Sequence, residues 1–348
     1  MNFRLLLLAL LLGSLLLAAC LPGQVGALAY FGQTTPTPTP FLPDLVMDEA
    51  PVISAALVGN KPGISGLIPA RFEDFPPPTA ESDIAIPNPV GRFVQPEGQM
   101  NILLLGSDQR PDDGGFRTDV ILLLTLNPQG KIASLTSFPR DLYIYVPGWR
   151  ADRINGAFAR GGFAMMADAL EYNFGVRPDH YVLVNFWNFE TIIEALGGLT
   201  VQVAQPLTDE IDGPGTFSVP AGPVSMDGET ALWYVRSRGS SNDFDRTRRT
   251  QEVLVAMFQR LLSLDALSRA PELYAQYQQT VSTDMEFEDL LPLFPLASAL
   301  GAGEGAISRY AIGADLVSPF TTSAGGAVLL PEVEAVLELM HQALNVPL

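Results

Sequence analysis

From Met100 onward the chain alternates short apolar runs with longer stretches of helical spacing. MNILLLG, residues 100–106, reads as a short apolar strand ending in glycine. DVILLLTLN, residues 119–127, is apolar on both faces, the pattern of a strand inside a sheet. NPQG, Asn127 to Gly130, is turn chemistry, and KIASLTSF is the returning strand. A regular hairpin about those four turn residues opposes positions whose numbers sum to 257. Asp119 then faces Phe138, and Arg117 lies beside Arg140. Arg117, Asp119, Arg140 and Asp141 gather at one end of that hairpin, and Asp108 joins them if the first strand lies alongside. A bulge would move the register by one, so the pattern defines a neighbourhood and not a set of contacts.

Helical spacing follows. GGFAMMADALEYNFG stops at Gly175, DHYVLVNF is a strand, and WNFETIIEALGG is a helix with Asn188 as its expected N-cap. After the strand LTVQV, one helix opens at Asp227 and closes at Gly239, and DRTRRTQEVLVAMFQRLLSL forms the next. Alternating strands and helices predict a three-layer α/β/α fold with a mixed central sheet. The domain is expected over residues 96–265, with residues 266–348 as its C-terminal helical part.

The texture before Met100 is different. MNFRLLLLALLLGSLLLAAC has a short start with Arg4, an apolar run shorter than a membrane span, and small residues before Cys20. Leu17-Ala18-Ala19-Cys20 resembles a bacterial lipobox, in which the cysteine is acylated. An uncleaved anchor helix is the alternative. Either way the body is expected outside the cytoplasmic membrane and tethered to it, in the wall space. Residues 21–95 read as a Pro/Thr-rich linker with one docking piece. TTPTPTP, Thr34 to Pro40, favours extended polyproline II, and APVISAALVG suits a short strand.

Charge narrows the chemistry. With a formal net charge of −18, the chain as a whole repels phosphate backbones, which argues against nucleic acid. One cysteine and two histidines, His180 and His341, exclude disulfide scaffolds and cysteine zinc sites. Both histidines are expected to be structural. Yet Tyr234 to Arg249 holds Arg236, Arg238, Arg246, Arg248 and Arg249, five of the 20 basic residues. These arginines flank a helix end, a loop and a helix start, where free N–H groups add partial positive charge. Planar guanidinium forks suit phosphate oxygens. A salt-bridged surface with Asp243 and Asp245 is the competing reading. Carboxylates at Asp108 and Asp119 would repel phosphate unless a cation intervened. Mg²⁺ takes one or two carboxylates together with phosphate oxygens. The same two aspartates also serve as ordinary turn and strand-start residues.

In order along the chain stand NILLLGSDQR, FRTDVILLLTLNPQGKIASLTSFPRDLYIYVPG, DRINGAFARGG, VNFWNFETIIEALGGLTV, LWYVRSR and DFDRTRRTQEVL. Together they resemble the LytR-CpsA-Psr family over roughly residues 98–260. The resemblance implies an extracytoplasmic phosphotransferase that moves a glycopolymer from a polyprenyl-pyrophosphate carrier to peptidoglycan and releases polyprenyl phosphate. Carried over by motif, Asp108 and Asp119 would hold Mg²⁺ and pyrophosphate, and Arg117 and Arg140 would clamp phosphate oxygens. Arg236, Arg238 and Arg246 would act from the helical side, with Asp243 orienting either the arginines or the metal, and Arg249 matches a further arginine of the motif and joins the pyrophosphate-binding set. Asp108 and Asp119 are the two residues that could serve as base.

This chain departs from the family pattern at Thr250, where glutamine is usual, at Asp245, where glycine is usual, and at Arg153, where lysine is usual. A lipobox replaces the commoner membrane helix. The polyprenyl tail needs an apolar slot, and GGFAMMADALEYNFG either lines it or is an ordinary core helix. Two alternatives use the same residues: a Mg²⁺-dependent polyprenyl-pyrophosphate hydrolase, and a non-catalytic protein that binds pyrophosphate lipid or wall polymer.

Overall fold

The computed structural model describes residues 66–108, 116–210, 215–237, 242–263 and 281–344. Cys20, the proline tether, the expected strand at residues 50–59 and Arg238 lie outside the described residues.

Two short strands, β1 (Leu67–Ile68) and β2 (Arg92–Phe93), pair with each other ahead of the apolar runs. Then come β3 (Met100–Ser107), β4 (Thr118–Asn127) and β5 (Ile132–Ser137), followed by the small pair β6 (Tyr143–Tyr145) and β7 (Ala151–Arg153). Helix α1 (Ala157–Phe174) leads to β8 (His180–Asn185) and α2 (Phe186–Ala195). Strand β9 (Leu199–Val203), the hairpin β10 (Leu207–Glu210) and β11 (Thr216–Val219), and β12 (Gly222–Met226) precede α3 (Gly228–Arg236) and α4 (Asp243–Ser263). The last part carries β13 (Ser282–Thr283), α5 (Phe287–Leu290), α6 (Phe294–Gly301), β14 (Ala306–Ala311), β15 (Val317–Thr321), β16 (Ala327–Pro331) and α7 (Val333–Ala343).

Six strands form the central mixed sheet in the order β13-β8-β3-β4-β5-β14. β3 runs parallel to β8 and antiparallel to β4, and β14 runs parallel to β5. One face buries Leu103, Leu105 and Leu123 against α1 and α7. The other buries Ile102, Leu104 and Leu122 against α4 and α6. Alternate residues of β3 therefore enter different layers, and the expected α/β/α architecture results. A satellite core joins α2, α3, β9 and the middle of α4.

Four expectations change in detail. The β4–β5 hairpin pairs Asn127 with Ile132 and Leu122 with Ser137, so opposed numbers sum to 259 and not 257. Asn127 ends the strand, its side chain accepts from Gly130 N at 2.8 Å, and Lys131 takes the left-handed conformation at φ 55°. The turn thus shifts by one residue on each side. A shift of two in the sum keeps every side chain on its face. Second, Asn185, not Asn188, caps α2, accepting from Asn188 N at 2.9 Å. Third, the tail is not only helical. β13 and β14, the two edges of the central sheet, both come from it.

Fourth, residues 66–95 lie against the body. Phe93 N donates to Gly175 O at 2.8 Å and Val90 N to Tyr172 O at 3.1 Å. Tyr172 and Tyr145 hydroxyls donate to the carbonyls of Pro87 and Pro76. Phe72 packs on both tyrosine rings, and Phe75 packs on that of Tyr172. Gly175 sits at φ 71°, ending α1, and an added Cβ there would come within 2.9 Å of Gly91 O.

Candidate active site

The site begins with an irregularity. Gly106 pairs with Val120 but Ser107 pairs with Thr118, so Asp119 is the extra residue of a β-bulge. Glycine suits position 106, because an added Cβ would meet Val120 Cβ at 2.9 Å. Bulging aims Asp119 at the strand end, where Arg140 Nη1 donates to its carboxylate at 2.9 Å. Its carbonyl accepts from Arg246 Nη2 at 3.1 Å.

Helix α4 brings the other half. Asp243, in its first turn, lies 2.8 Å from Arg246 and 3.6 Å from Arg140. Arg140 from the hairpin and Arg246 from the helix therefore meet around one carboxylate, although 106 positions apart in sequence. Asp141 extends the array, 3.5 Å from Arg140 and 3.0 Å from Arg153. Burial opposes the charge on Arg140, but Asp119, Asp243 and Asp141 outweigh it and hold its pKa above the ordinary guanidinium value. The Arg140 guanidinium is thus pre-oriented and kept charged, and Arg246 is oriented by Asp243.

The outer arginines differ. Arg117 is exposed and forms no ion pair among the described residues. Its backbone N–H donates to Asp108 Oδ1 at 2.8 Å, and Asp108 N donates to its carbonyl at 3.3 Å. Asp108 and Arg117 are therefore locked together at the strand ends beside the bulge. Arg236, the last residue of α3, lies with its guanidinium 4.5 Å from the centre of the Phe186 ring. Phe186 follows Asn185, which pairs with Ser107, so Arg236 reaches the same end of the sheet.

Arg249 takes a different part from that of an exposed ligand. It is 1% exposed, and its Nη2 donates to Ser237 O at 2.6 Å. Burial pushes its pKa down. It holds the end of α3 through the Ser237 carbonyl. Ser237 is also held from the β10–β11 hairpin by the Asp209 carboxylate. Behind it, Tyr234 donates to buried Glu252 at 2.6 Å, and Arg248 pairs with the same carboxylate. Gln251 donates to Ser137 Oγ at 2.7 Å and Tyr310 O at 2.8 Å, tying α4 to the sheet. Phe186, Asp209 and Glu252 carried no signal in the sequence, because their partners are distant in the chain.

Both histidines sit away from this cluster. His180 starts β8 at the opposite strand end, and His341 packs on Phe93. Among the described residues no group of three or more His, Cys, Asp or Glu could hold a metal. Asp108 and Asp119 remain as two hard-oxygen donors at one strand end, the partial set that Mg²⁺ uses with water and phosphate oxygens. Most of α1 faces the core, with Met166, Leu170 and Phe174 buried. The open apolar volume lies on the other side of the sheet. A cavity of about 70 Å³ is lined by Leu104, Leu124, Leu135, Leu254, Phe258, Leu300 and their neighbours, with no charged residue. It starts on α4 at Leu254, five residues beyond Arg249.

The model of the LytR_cpsA_psr family matches residues 79–309. Among known proteins, the polyisoprenyl-teichoic acid–peptidoglycan teichoic acid transferase TagU of Enterococcus faecalis is 33% identical over 196 residues, 55% of this chain and 63% of the relative. TagT of Bacillus subtilis, described by the same words, is 30% identical over 222 residues, 62% of this chain and 69% of the relative. This chain thus spans about two thirds of the length of these relatives. Two solved structures share the fold. The crystal structure of B. subtilis TagV aligns with TM-score 0.59 at 24% identity, covering 72% of this chain and 98% of that one. TagT bound to LIIa-WTA aligns with TM-score 0.56 at 24% identity, covering 76% and 100%.

Proposed function

Since the chain belongs to the LytR_cpsA_psr family, we propose that it is a phosphotransferase. In this reading it moves a glycopolymer from a polyprenyl-pyrophosphate carrier to peptidoglycan at the outer face of the cytoplasmic membrane. The observation that carries the reading is the meeting of Arg140 and Arg246 around Asp243, with Arg117 and Arg236 exposed at the same strand end.

Phosphoryl transfer depends on positioning and charge stabilisation more than on a covalent nucleophile. Exposed Arg117 and Arg236 take the diphosphate oxygens first. Arg140 and Arg246 are already charged and oriented by aspartates, so they meet the developing negative charge without reorganising. A hydroxyl of the wall glycan attacks the phosphorus that carries the glycopolymer. The new phosphodiester forms, the bond to polyprenyl phosphate breaks, and that phosphate leaves with the electron pair. The hydroxyl proton goes to a carboxylate at the strand end, Asp108 or Asp119. Asp108 and Asp119 would also hold Mg²⁺, which supplies charge neutralisation for the diphosphate when bound. In this reading the apolar cavity between the sheet and α4 receives the polyprenyl tail, supported by its wholly apolar lining and its start at Leu254, five residues along α4 from Arg249.

The test incubates the full chain in detergent with a polyprenyl-pyrophosphate-linked saccharide, with and without glycan acceptor and Mg²⁺. Acceptor-dependent release of polyprenyl phosphate is expected. Release indifferent to acceptor makes the protein a hydrolase, and no release under any condition leaves a binding protein.

A further inference from the structure

Trp187 is 68% exposed, the most exposed of the large apolar side chains among the described residues. It stands on the second residue of α2, and its backbone is held firmly. Asn185 caps the helix through Asn188 N at 2.9 Å, and Thr191 Oγ1 donates to Trp187 O at 2.9 Å. Its position relative to the site follows from strand register. Asn185 pairs with Ser107, so Asp108 lies one residue past that pair on β3 and Trp187 two residues past it on the β8 side. Neighbouring strands lie about 4.8 Å apart, so the start of α2 that carries Trp187 lies at the same strand end as the arginine cluster. Phe186, the adjacent residue, carries the Arg236 guanidinium on its ring. Glu190 follows one turn later on the face of Trp187. Burial and Glu229 raise its pKa while Arg236 opposes them, so its carboxyl lies in the field of that guanidinium.

An exposed indole with no ring contact among the described residues, at the strand end of the arginine cluster and one turn from a carboxylate, suits a pyranose ring. The apolar C–H face of a sugar stacks on the electron-rich face of the ring, and a carboxylate accepts from its hydroxyls. We propose that Trp187, with Glu190, forms a saccharide subsite at the rim of the cleft, which seats the sugar nearest the reacting phosphate. This rests on the transferase reading, in which both reactants bring a sugar within one or two bonds of the phosphorus. The sugar comes from either the donor polymer or the wall acceptor, and kinetics separates the two.

The experiment compares the full chain with Trp187→Ala and Trp187→Tyr. Turnover is measured while donor and acceptor concentrations are varied separately. In parallel, a neutral N-acetylglucosamine tetramer is titrated and indole fluorescence followed. Trp187→Ala should raise the KM of one glycan by about 5-fold with kcat unchanged, a stacking contact being worth that much. Trp187→Tyr should restore most of the loss. The reactant whose KM moves identifies the source of the sugar. Unchanged KM for both reactants in Trp187→Ala overturns the proposal. So does a loss of binding to phosphatidylglycerol vesicles with both KM values intact, which would make the indole a membrane contact. If the chain proves inactive, the transferase reading fails and the titration alone decides. A fluorescence response lost in Trp187→Ala upholds the subsite, and no response in the parent chain removes it.

Discussion

Arg117 and Arg249 are both arginines of the motif, yet their surroundings give them opposite duties. Arg117 is exposed and its guanidinium has no acidic partner among the described residues, so its removal touches little of the fold. Arg117→Ala, and likewise Arg236→Ala, should reduce turnover at least about 100-fold. Thermal midpoint and circular dichroism should stay those of the parent. Wild-type rates in both variants would remove the pair from the site. Arg249→Ala should behave differently. It leaves the Ser237 carbonyl without its buried donor, which costs about 1–3 kcal/mol. A lowered midpoint in urea, with activity falling in step with the folded fraction or through misplacement of Arg236, is the expected result. An unchanged midpoint would return Arg249 to the ranks of simple ligands. Asp119 and Arg140 were legible as neighbours in the sequence because an apolar run, a turn and a second apolar run define one hairpin. The burial of Arg249 was not, because a guanidinium in a charged run looks alike on either face of a helix until its packing partner is known.

At the scale of elements, the bulge in β4 and the cavity under α4 do the positioning. Gly106→Ala brings a methyl to within 2.9 Å of Val120 Cβ and should force the bulge to shift. Activity should fall more than stability, since Asp119 is the residue displaced. Adding Val120→Ala relieves the contact, so the double variant should recover activity beyond the sum of the single effects. Strict additivity would show that the bulge does not control the site. Ala133→Leu adds side chain to the apolar cavity. Turnover on a long polyprenyl donor should fall about 10-fold while a short soluble analogue is spared. Equal effects on both donors would place the lipid elsewhere. The hairpin, α1, α3 and the start of α4 were legible because their signals are local: periodicity, a turn, and caps at Asp227 and Gly175. The register error of two arose from choosing Asn127 as a turn residue when it ends the strand. β14 was missed because AISRYA is a half-buried edge strand, and its place is set by parallel pairing with β5 across 174 positions, Ile132 with Ala306 and Ser137 with Ala311.

Across the whole molecule, residues 66–95 form a strap on α1 and β6 where composition had indicated a linker. Proline content marked it as extended, and only the aromatic partners Tyr145 and Tyr172 reveal that it docks. Burial raises the Tyr172 pKa to about 12. A folded pKa above the unfolded value contributes stability that is complete below about pH 10 and disappears as pH rises through about 12. Stability of the parent chain should therefore fall between those values, with the strap loosening as the Tyr172 hydroxyl loses the proton it donates to Pro87 O. Tyr172→Phe should flatten that part of the pH profile in urea titrations; an unaltered slope would mean the phenol stays protonated for another reason. The same view of the molecule bears on how it is made. β5 gains its outer neighbour only from residues 306–311. A chain made N-terminus first holds a bare backbone edge on β5, already apolar on both sides, until residues 306–311 have been made. Synthesis halted before that point would leave an adhesive half-sheet, so truncations that end before residue 306 should aggregate where the full chain stays dispersed.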